Sequence, residues 1–116
     1  MISIVIPTFN NLEYLKLCIN SLKKNSKYGH EIRLHINDGS DGTLDFANTN
    51  NIFYTHSTNN IGLCSSINLI SSTVTSEYLL YAHDDMYFCP NWDDVLIKEV
   101  KGIGHNNFYL SGTMIE

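Results

Sequence analysis

The sequence has 116 residues, of which 43% are hydrophobic and 16% charged; this is ordinary for one folded domain and excludes disordered, collagen-like and coiled-coil architectures. Its net charge of -5 and its 7 scattered Lys and Arg residues argue against a nucleic-acid-binding protein, because neutralising phosphates requires clustered basic side chains. An acidic chain can still hold an anionic ligand when a metal ion bridges the two.

Two hydrophobic periodicities alternate along the chain. Short β-branched or aromatic runs closed by turn residues predict buried strands, and apolar residues recurring every three or four positions predict helices. In chain order the predicted elements are a strand from Ile2 to Ile6, a helix from Leu12 to Leu22, a strand from Ile32 to Ile36, a short helix from about Leu44 to Asn48, a strand from Ile52 to Thr55, a helix through Leu63, Ile67 and Ile70, a strand from Tyr78 to Ala82, a helix with Trp92, Val95, Leu96 and Val100 on one face, and a fifth strand in "FYLSG". This β-α order predicts parallel strands joined by right-handed crossovers in a three-layer α/β sandwich.

Asparagines precede two of the predicted helices. Asn10 or Asn11 is expected to cap the first helix, and Asn91 the last, because an Asn side chain can accept a hydrogen bond from a free amide of the first turn.

The cysteines and the N-terminus indicate a compartment. Cys18, Cys64 and Cys89 are odd in number, widely spaced and set among apolar residues, which predicts buried reduced thiols rather than disulfides or a zinc site. The opening "MISIVIPTFNN" lacks the basic region of a signal peptide, and no apolar run approaches the roughly 18 residues of a membrane span. We therefore expect a cytoplasmic protein.

Every predicted strand of the first four leads into a polar segment. These segments are "PTFNN", "NDGSDGT", "HSTNNIG" and "HDD". Since ligands of open α/β sheets bind beyond the carboxyl ends of the strands, the four segments predict a binding site at one edge of the sheet.

The adjacent carboxylates Asp84 and Asp85 are candidate metal ligands. Mg²⁺ and Mn²⁺ prefer oxygen ligands and often combine one or two carboxylates with substrate phosphates. The alternative is a solvated Asp-Asp turn that begins the next segment. His83 is either a third ligand or the polar end of a strand.

Two glycine-containing segments admit both a binding and a structural interpretation. In "NDGSDGT", Asp38 follows a strand and could accept a hydrogen bond from a base or a ribose, but the segment is also typical of a simple turn. In "NNIGLCSSIN", with Asn60, Gly62 and Asn68, helix amides could face a diphosphate, or Asn60 and Gly62 could form only a cap and a turn. The "NDGSDGT" segment has neither the P-loop nor the dinucleotide-binding spacing, which argues against an ATP or NAD site.

Together these stretches resemble the nucleotide-binding half of family 2 glycosyltransferases, from Ile2 to about Leu96. "IVIPTFNNLEYLKLCINSL" is similar to the opening strand and helix of that family, and "INDGSDGT" to its Asp-Asp-Gly-Ser-Thr-Asp-Gly-Thr motif. "NNIGLCSSIN" resembles its Asn-x-Gly pattern with a downstream Asn, and "HDDMYFCP" its Asp-x-Asp segment followed by Pro. The resemblance implies a GT-A fold, which is a Rossmann-like α/β/α sandwich with a mainly parallel sheet.

The function implied by the resemblance is transfer of a sugar from a nucleotide-diphosphate sugar, expected to be a UDP-sugar, to a hydroxyl of a glycan or another acceptor. It implies inverting stereochemistry, Mg²⁺ or Mn²⁺ as cofactor and a place in polysaccharide biosynthesis. By position, the implied nucleotide-sugar contacts are Pro7, Thr8 and Phe9 at the nucleoside, Asp38 at the base, Asn60 and Gly62 along the nucleotide, and Asp84 at the ribose or sugar. Asp85 would be the metal ligand.

The sequence departs from the family pattern in three motifs. The "NDGSDGT" segment is one residue shorter than the family motif, which leaves open whether Asn37 or Asp38 faces the base. Ile67 replaces an Arg that often contacts the diphosphate, and His83 replaces the first Asp of Asp-x-Asp. These changes bear on the donor and the metal affinity.

The resemblance also implies parts that the sequence lacks. In the family the acceptor-binding half and the general base lie further along the chain, so we expect residues 1–116 to be a single, truncated donor-binding domain with no assigned catalytic base. Asp93 and Asp94 are poor substitutes because they occupy the first turn of a predicted helix, where the dipole favours acids. The missing part or a partner could hold the protein at the inner face of a membrane.

Two other interpretations follow from this expectation. The chain could be a non-catalytic nucleotide-binding fragment, or a donor half completed by another chain. A nucleotidyltransferase is disfavoured, because "PTFNN" contains no basic residue. An uncovered face would also favour a homo-oligomer.

Overall fold

The computed structural model describes residues 1–112 and contains four strands that alternate with four helices. The elements are β1 (Ile2–Phe9), α1 (Leu12–Asn25), β2 (Glu31–Asn37), α2 (Thr43–Thr49), β3 (Phe53–Ser57), α3 (Leu63–Ser71), β4 (Tyr78–Tyr81) and α4 (Trp92–Ile103). All strand pairs are parallel, and the order in the sheet is β3-β2-β1-β4. The predicted parallel α/β architecture is therefore confirmed.

The core lies on both faces of the central strand β1. Ile4 and Ile6 join α1 residues in one buried cluster, whereas Val5, which points to the other face, is buried outside that cluster. Helix α3 packs against β1 and β2, and its Ile70 is fully buried. Helices therefore cover both faces, which explains why β1 is a continuous apolar run.

The strand ends are not level at the carboxyl edge of the sheet. Phe9 of β1 pairs with Asn37 of β2, which pairs in turn with Ser57 of β3. On the other side of β1, the last residue of β4, Tyr81, pairs with Val5. Because β1 continues to Phe9, its last four residues have no partner on the β4 side of the sheet. We call this space beside the end of β1 the step.

The predicted fifth strand in "FYLSG" is wrong. Residues 108–112 have no regular secondary structure, and Tyr109 is 90% exposed. Phe108 packs its ring 6.0 Å from the ring of Tyr78 instead. A β-branched or aromatic run forms a strand only where its backbone finds a ladder partner, and within the described residues β4 remains an edge of the sheet.

The asparagine caps are at the predicted positions but make no side-chain capping bonds. Asn11 and Asn91 precede α1 and α4, and neither side chain bonds to its helix. The Leu12 amide instead donates to Asp41 Oδ2 at 3.1 Å. The cap of α1 thus comes from the loop after β2, which local sequence patterns do not reveal.

Two expectations about burial also require correction. All three cysteines are free, but only Cys18 is buried; Cys64 in α3 and Cys89 in the segment before α4 are exposed. In α4, Val95 is 60% exposed, and the core-facing residues are Trp92, Leu96 and Ile97. None of the helices within residues 1–112 is long and apolar enough to cross a membrane.

Candidate functional site

A cleft of about 340 Å³ lies at the carboxyl ends of β1, β2 and β4. Six of the residues predicted to bind the nucleotide sugar line this cleft: Pro7, Thr8, Phe9, Asn60, Gly62 and Asp84. Asp38 and Asp85 are not among its lining residues. The other lining residues are Asn10, Asn11, Asn37, Leu63, Ser66 and His83.

Asp84 is fixed at the step beside the end of β1. It is half-buried, and its Oδ2 accepts a hydrogen bond of 2.8 Å from the hydroxyl of the buried Thr8. The neighbouring Asp85 is exposed. The two carboxylates therefore differ in position: Asp84 lies in the cleft, and Asp85 lies outside its lining.

The turn that carries these carboxylates contacts the thiol of a buried cysteine. Cys18 of α1 lies 3.5 Å from the carbonyl oxygen of His83. Burial raises the pKa of Cys18 to about 12, and the negative charges of Asp84 and Asp85 act in the same direction. The thiol is therefore neutral and can donate to the carbonyl, which secures the turn after β4.

His83 and Tyr81 form an aromatic pair at the rim of the cleft. Their ring centroids are 4.9 Å apart, and the Tyr81 hydroxyl lies 3.2 Å from the His83 ring nitrogens. Burial raises the pKa of Tyr81, with further contributions from Asp84 and Asp85. This end of the sheet is thus a region of negative potential.

The oxygen atoms at the cleft suit a hard divalent cation whose remaining coordination positions are filled by a bound anionic ligand. The lining contains no Lys or Arg, so an anionic ligand needs another source of positive charge. Within residues 1–112 no cluster of three or more His, Cys, Asp or Glu side chains could hold a metal by itself. One or two carboxylates plus ligand phosphate oxygens is the usual arrangement for Mg²⁺; the cleft offers the carboxylate of Asp84 in its lining, and that of Asp85 is exposed next to it.

Asn10 and the loop after β2 bond reciprocally. The Asn10 side chain donates to Asp38 Oδ2 at 3.0 Å and accepts from the Gly39 amide at 3.0 Å. The hydrogen bond from Asn10, followed by one from Ser40, lowers the pKa of Asp38. Asp38 is therefore an ionised acceptor next to the cleft residue Asn10, whereas Asn37 is buried.

The loop before α3 reaches the cleft through Asn60 and Gly62. The Gly62 amide donates to the Asn60 side chain at 3.0 Å, so this amide is already engaged and is not free to face a diphosphate. Asn68 is exposed on α3 and does not line the cleft. Ser66, two residues earlier and fully buried, lines it instead; a serine in a helix carries no sequence signal that would have identified it.

The acids Asp93 and Asp94 lie outside the cleft lining. Asp93 is buried and bonded to His30, and Asp94 pairs with Lys27 and Lys98. Both carboxylates are therefore bonded to groups outside the cleft.

The chain belongs to glycosyl transferase family 2, whose sequence model matches residues 3–115. The sequence has no significant match among curated proteins. Among solved structures it is similar to S. aureus TarS 1-349 in complex with UDP, with a TM-score of 0.74 and 21% identity over 87% of this chain and 32% of that one. The complex of the same protein with UDP-GlcNAc gives 0.70 and 22% over 90% of this chain and 31% of that one.

A third similar structure is the mannosyltransferase PcManGT from Pyrobaculum calidifontis in complex with GDP-Man and Mn²⁺. Its TM-score is 0.68, with 17% identity over 81% of this chain and 30% of that one. The expected GT-A fold is thereby confirmed. The chain spans 30% to 32% of the length of these three structures.

Proposed function

We propose that this chain is the donor-binding part of a glycosyltransferase that moves a sugar from a nucleotide-diphosphate sugar to an acceptor hydroxyl, with divalent metal assistance and inversion at the sugar. The observation that carries the proposal is the cleft at the carboxyl ends of β1, β2 and β4, which has a carboxylate in its lining and no Lys or Arg. The UDP, UDP-GlcNAc and GDP-Man complexes of the similar structures support a nucleotide sugar as ligand. We propose a UDP-sugar as the donor and a glycan as the acceptor.

The proposed roles follow the positions of the side chains. Phe9 is 50% exposed at the cleft and offers an aromatic surface to the nucleoside, next to Pro7 and Thr8. Asp38 is the acceptor for an N–H of the base, because Asn37 is buried and Asp38 is ionised. Asn60 and Gly62 border the nucleotide.

Asp85 is proposed as the metal ligand, and Asp84 as the contact to ribose or sugar. Bound Mg²⁺ or Mn²⁺ would neutralise charge on the departing diphosphate. In this division Asp84 is oriented by Thr8, and the exposed carboxylate of Asp85 is free to move toward a cation. A catalytic base remains unassigned within the described residues.

Calorimetry with UDP in the presence and absence of Mn²⁺ tests this proposal. We expect saturable binding that Mn²⁺ strengthens, and we expect Asp85→Ala to remove the metal-dependent part. Glu99→Ala, which removes an exposed acid of α4, is the control for net charge and should bind as the wild type does. Absence of binding by UDP-, GDP- and dTDP-linked ligands with metal present would refute the site.

A non-catalytic nucleotide-binding module is the alternative function. It is favoured by the engagement of Asp93 with His30 and of Asp94 with two lysines, which leaves these acids unsuited to activate an acceptor. Metal-dependent hydrolysis of a UDP-sugar by the 116-residue chain would contradict this alternative.

Self-association and a cytoplasmic location are part of the proposal. Leu79 of the edge strand β4 and Leu63 and Leu69 of α3 are 45%, 50% and 43% exposed, and an apolar surface of this kind favours an oligomer. The three free cysteines are typical of a reducing compartment. Sedimentation that shows only monomer at high protein concentration would contradict the oligomer.

A further inference from the structure

Asn37 has no hydrogen-bonding capacity left for a ligand. Its amide nitrogen donates to the Thr8 carbonyl at 3.3 Å and to Ser66 Oγ at 3.1 Å. Its oxygen accepts from Ser57 Oγ at 3.0 Å and from the Ile61 amide at 2.9 Å. An Asn side chain offers two donors and two lone pairs, so the buried side chain is fully used inside the protein.

A second buried side chain, His35, extends this network away from the cleft. His35 and Asn37 share a face of β2, and the parallel register places Thr55 and Ser57 of β3 beside them. His35 Nδ1 lies 2.7 Å from Thr55 Oγ1, and Nε2 lies 3.1 Å from Ser57 Oγ. Burial lowers the pKa of His35, so the ring is neutral at neutral pH.

The direction of the bonds follows from the proton of Ser57. The Ser57 hydroxyl has one proton and faces two acceptors, Asn37 Oδ1 and the Asn59 carbonyl at 2.7 Å. It must therefore accept from His35, which assigns the ring proton to Nε2 and makes Nδ1 the acceptor for the Thr55 hydroxyl.

The two acceptors of the Ser57 proton, Asn37 and Asn59, both connect Ser57 to the loop of residues 58–62. Asn59 belongs to that loop, and Asn37 holds the loop through the Ile61 amide. At the far end, Ser66 Oγ receives a bond from Asn37 and donates to the Gly62 carbonyl at 2.6 Å. The loop carries Asn60 and Gly62, which line the cleft.

We propose that His35, Ser57 and Asn37 are positioning residues that hold loop 58–62 in its nucleotide-binding conformation without hydrogen bonding to the nucleotide. For its ligand, this inference rests on the proposed function. For the loop itself, it depends only on the hydrogen bonds of the ligand-free protein.

Two substitutions on β3 separate this role from plain stabilisation. Thr55→Val and Ser57→Ala each remove one hydroxyl that is hydrogen-bonded to His35. Of these two hydroxyls, only that of Ser57 also bonds to Asn37 and to the loop that borders the cleft. The first measurement is amide hydrogen exchange of Ile61 and Gly62 by NMR without ligand; the second is UDP affinity with Mn²⁺ by calorimetry. Ser57→Thr, which restores the hydroxyl, is the rescue variant.

We expect Thr55→Val and Ser57→Ala to lower the thermal midpoint by similar amounts. Only Ser57→Ala should speed amide exchange at Ile61 and weaken UDP binding. Each of these two effects should be about five- to tenfold, as loss of one hydrogen bond would produce. Ser57→Thr should restore both. The inference is overturned if Ser57→Ala keeps wild-type exchange at Ile61, or if Thr55→Val changes exchange and affinity equally. If Ser57→Ala does not fold, Ser57→Cys carries the same expectations.

Failure of the two proposals would look different. Wild-type protein that binds no nucleotide refutes the proposed function, and the exchange comparison then still decides whether Ser57 positions the loop. If the wild type binds UDP and Ser57→Ala has unchanged amide exchange and unchanged UDP affinity, only the positioning role is refuted.

Discussion

The Thr8 hydroxyl donates a hydrogen bond of 2.8 Å to Asp84, and this bond joins the end of the central strand β1 to the turn after the edge strand β4. It gives Asp84 a defined position in the cleft, while the adjacent Asp85 stays exposed.

Removing the Thr8 hydroxyl should therefore act on ligand binding more than on folding. We expect Thr8→Val, which keeps the buried volume, to weaken UDP binding about five- to tenfold, the equivalent of one hydrogen bond. Thr8→Ser keeps the hydroxyl and should bind nearly as the wild type does. Calorimetry of the three proteins with Mn²⁺ tests this, and equal affinities would show that the bond does not orient Asp84.

Gly62 should be essential because of its backbone conformation. Its φ of 85° and ψ of 169° lie in a region that only glycine occupies readily, at a cost of about 1–3 kcal/mol for other residues. A Cβ there would meet no atom within 4 Å, so we expect Gly62→Ala to lower the free energy of unfolding by strain alone and to loosen the loop that borders the nucleotide. Chemical denaturation measures the loss.

Gly29→Ala is the matched control for this substitution. Gly29 also has open space around its Cβ position but no left-handed φ. It should lose little stability, and an equal loss in both variants would mean that the conformation of Gly62 is not the cause.

The place of the cleft could be predicted because it depends on order along the chain. In a parallel sheet every strand leads to the same edge, so "PTFNN", "NDGSDGT" and "HDD" had to converge there. The strands could be assigned from short β-branched runs, which a buried sheet requires. These assignments were sufficient to predict the fold class. The ends of individual strands were less accurate, since β3 ends at Ser57, about two residues after the predicted end.

The details of the site could not be predicted because they depend on contacts between distant residues. Asp41 caps α1 across 29 positions, and Asn37 meets Ser66 across the same separation. The burial of Asp93 depends on the chain after α1, whereas its position in the sequence indicates only an exposed first turn of α4. Local periodicity contains no information on which polar side chain will find such a partner.

The buried ring of His35 predicts a pH dependence of stability. Burial lowers its pKa, and the charge of His56 acts in the same direction. The unfolded chain binds the proton more readily, so the contribution of His35 is complete above about pH 6.5 and is lost as the pH falls toward the folded pKa.

Urea unfolding between pH 7 and pH 5 checks this expectation. The wild type should lose stability over this range, and His35→Gln should start from a lower value at pH 7 but change less with pH. His105→Gln, at an exposed position, should follow the wild-type slope. A slope in His35→Gln equal to that of the wild type would exclude the ring as the titrating group.

Asp93 should be the acid-sensitive anchor between α1 and α4. Its carboxylate accepts bonds from the Lys27 and Tyr28 amides, both at 2.9 Å, and from His30 Nε2 at 2.8 Å. The Ile2 amide donates to Nδ1 of His30, so the ring proton is on Nε2 and points toward Asp93. Burial alone would raise the pKa of Asp93, but these hydrogen bonds lower it below its ordinary value.

We expect Asp93→Asn to lower the free energy of unfolding at pH 7 by about 3 kcal/mol, because buried donors lose a charged partner. A depressed pKa gives stability that is complete above about pH 4 and is lost as the pH falls through the folded value, so the variant should have a flatter profile below pH 4 than the wild type. Asp94→Asn, next to it but bonded to two flexible lysines and the exposed Tyr28 hydroxyl, should lose much less. Equal losses at pH 7 would contradict the anchoring role, since the surface pairs of Asp94 would then contribute as much as the buried bonds of Asp93.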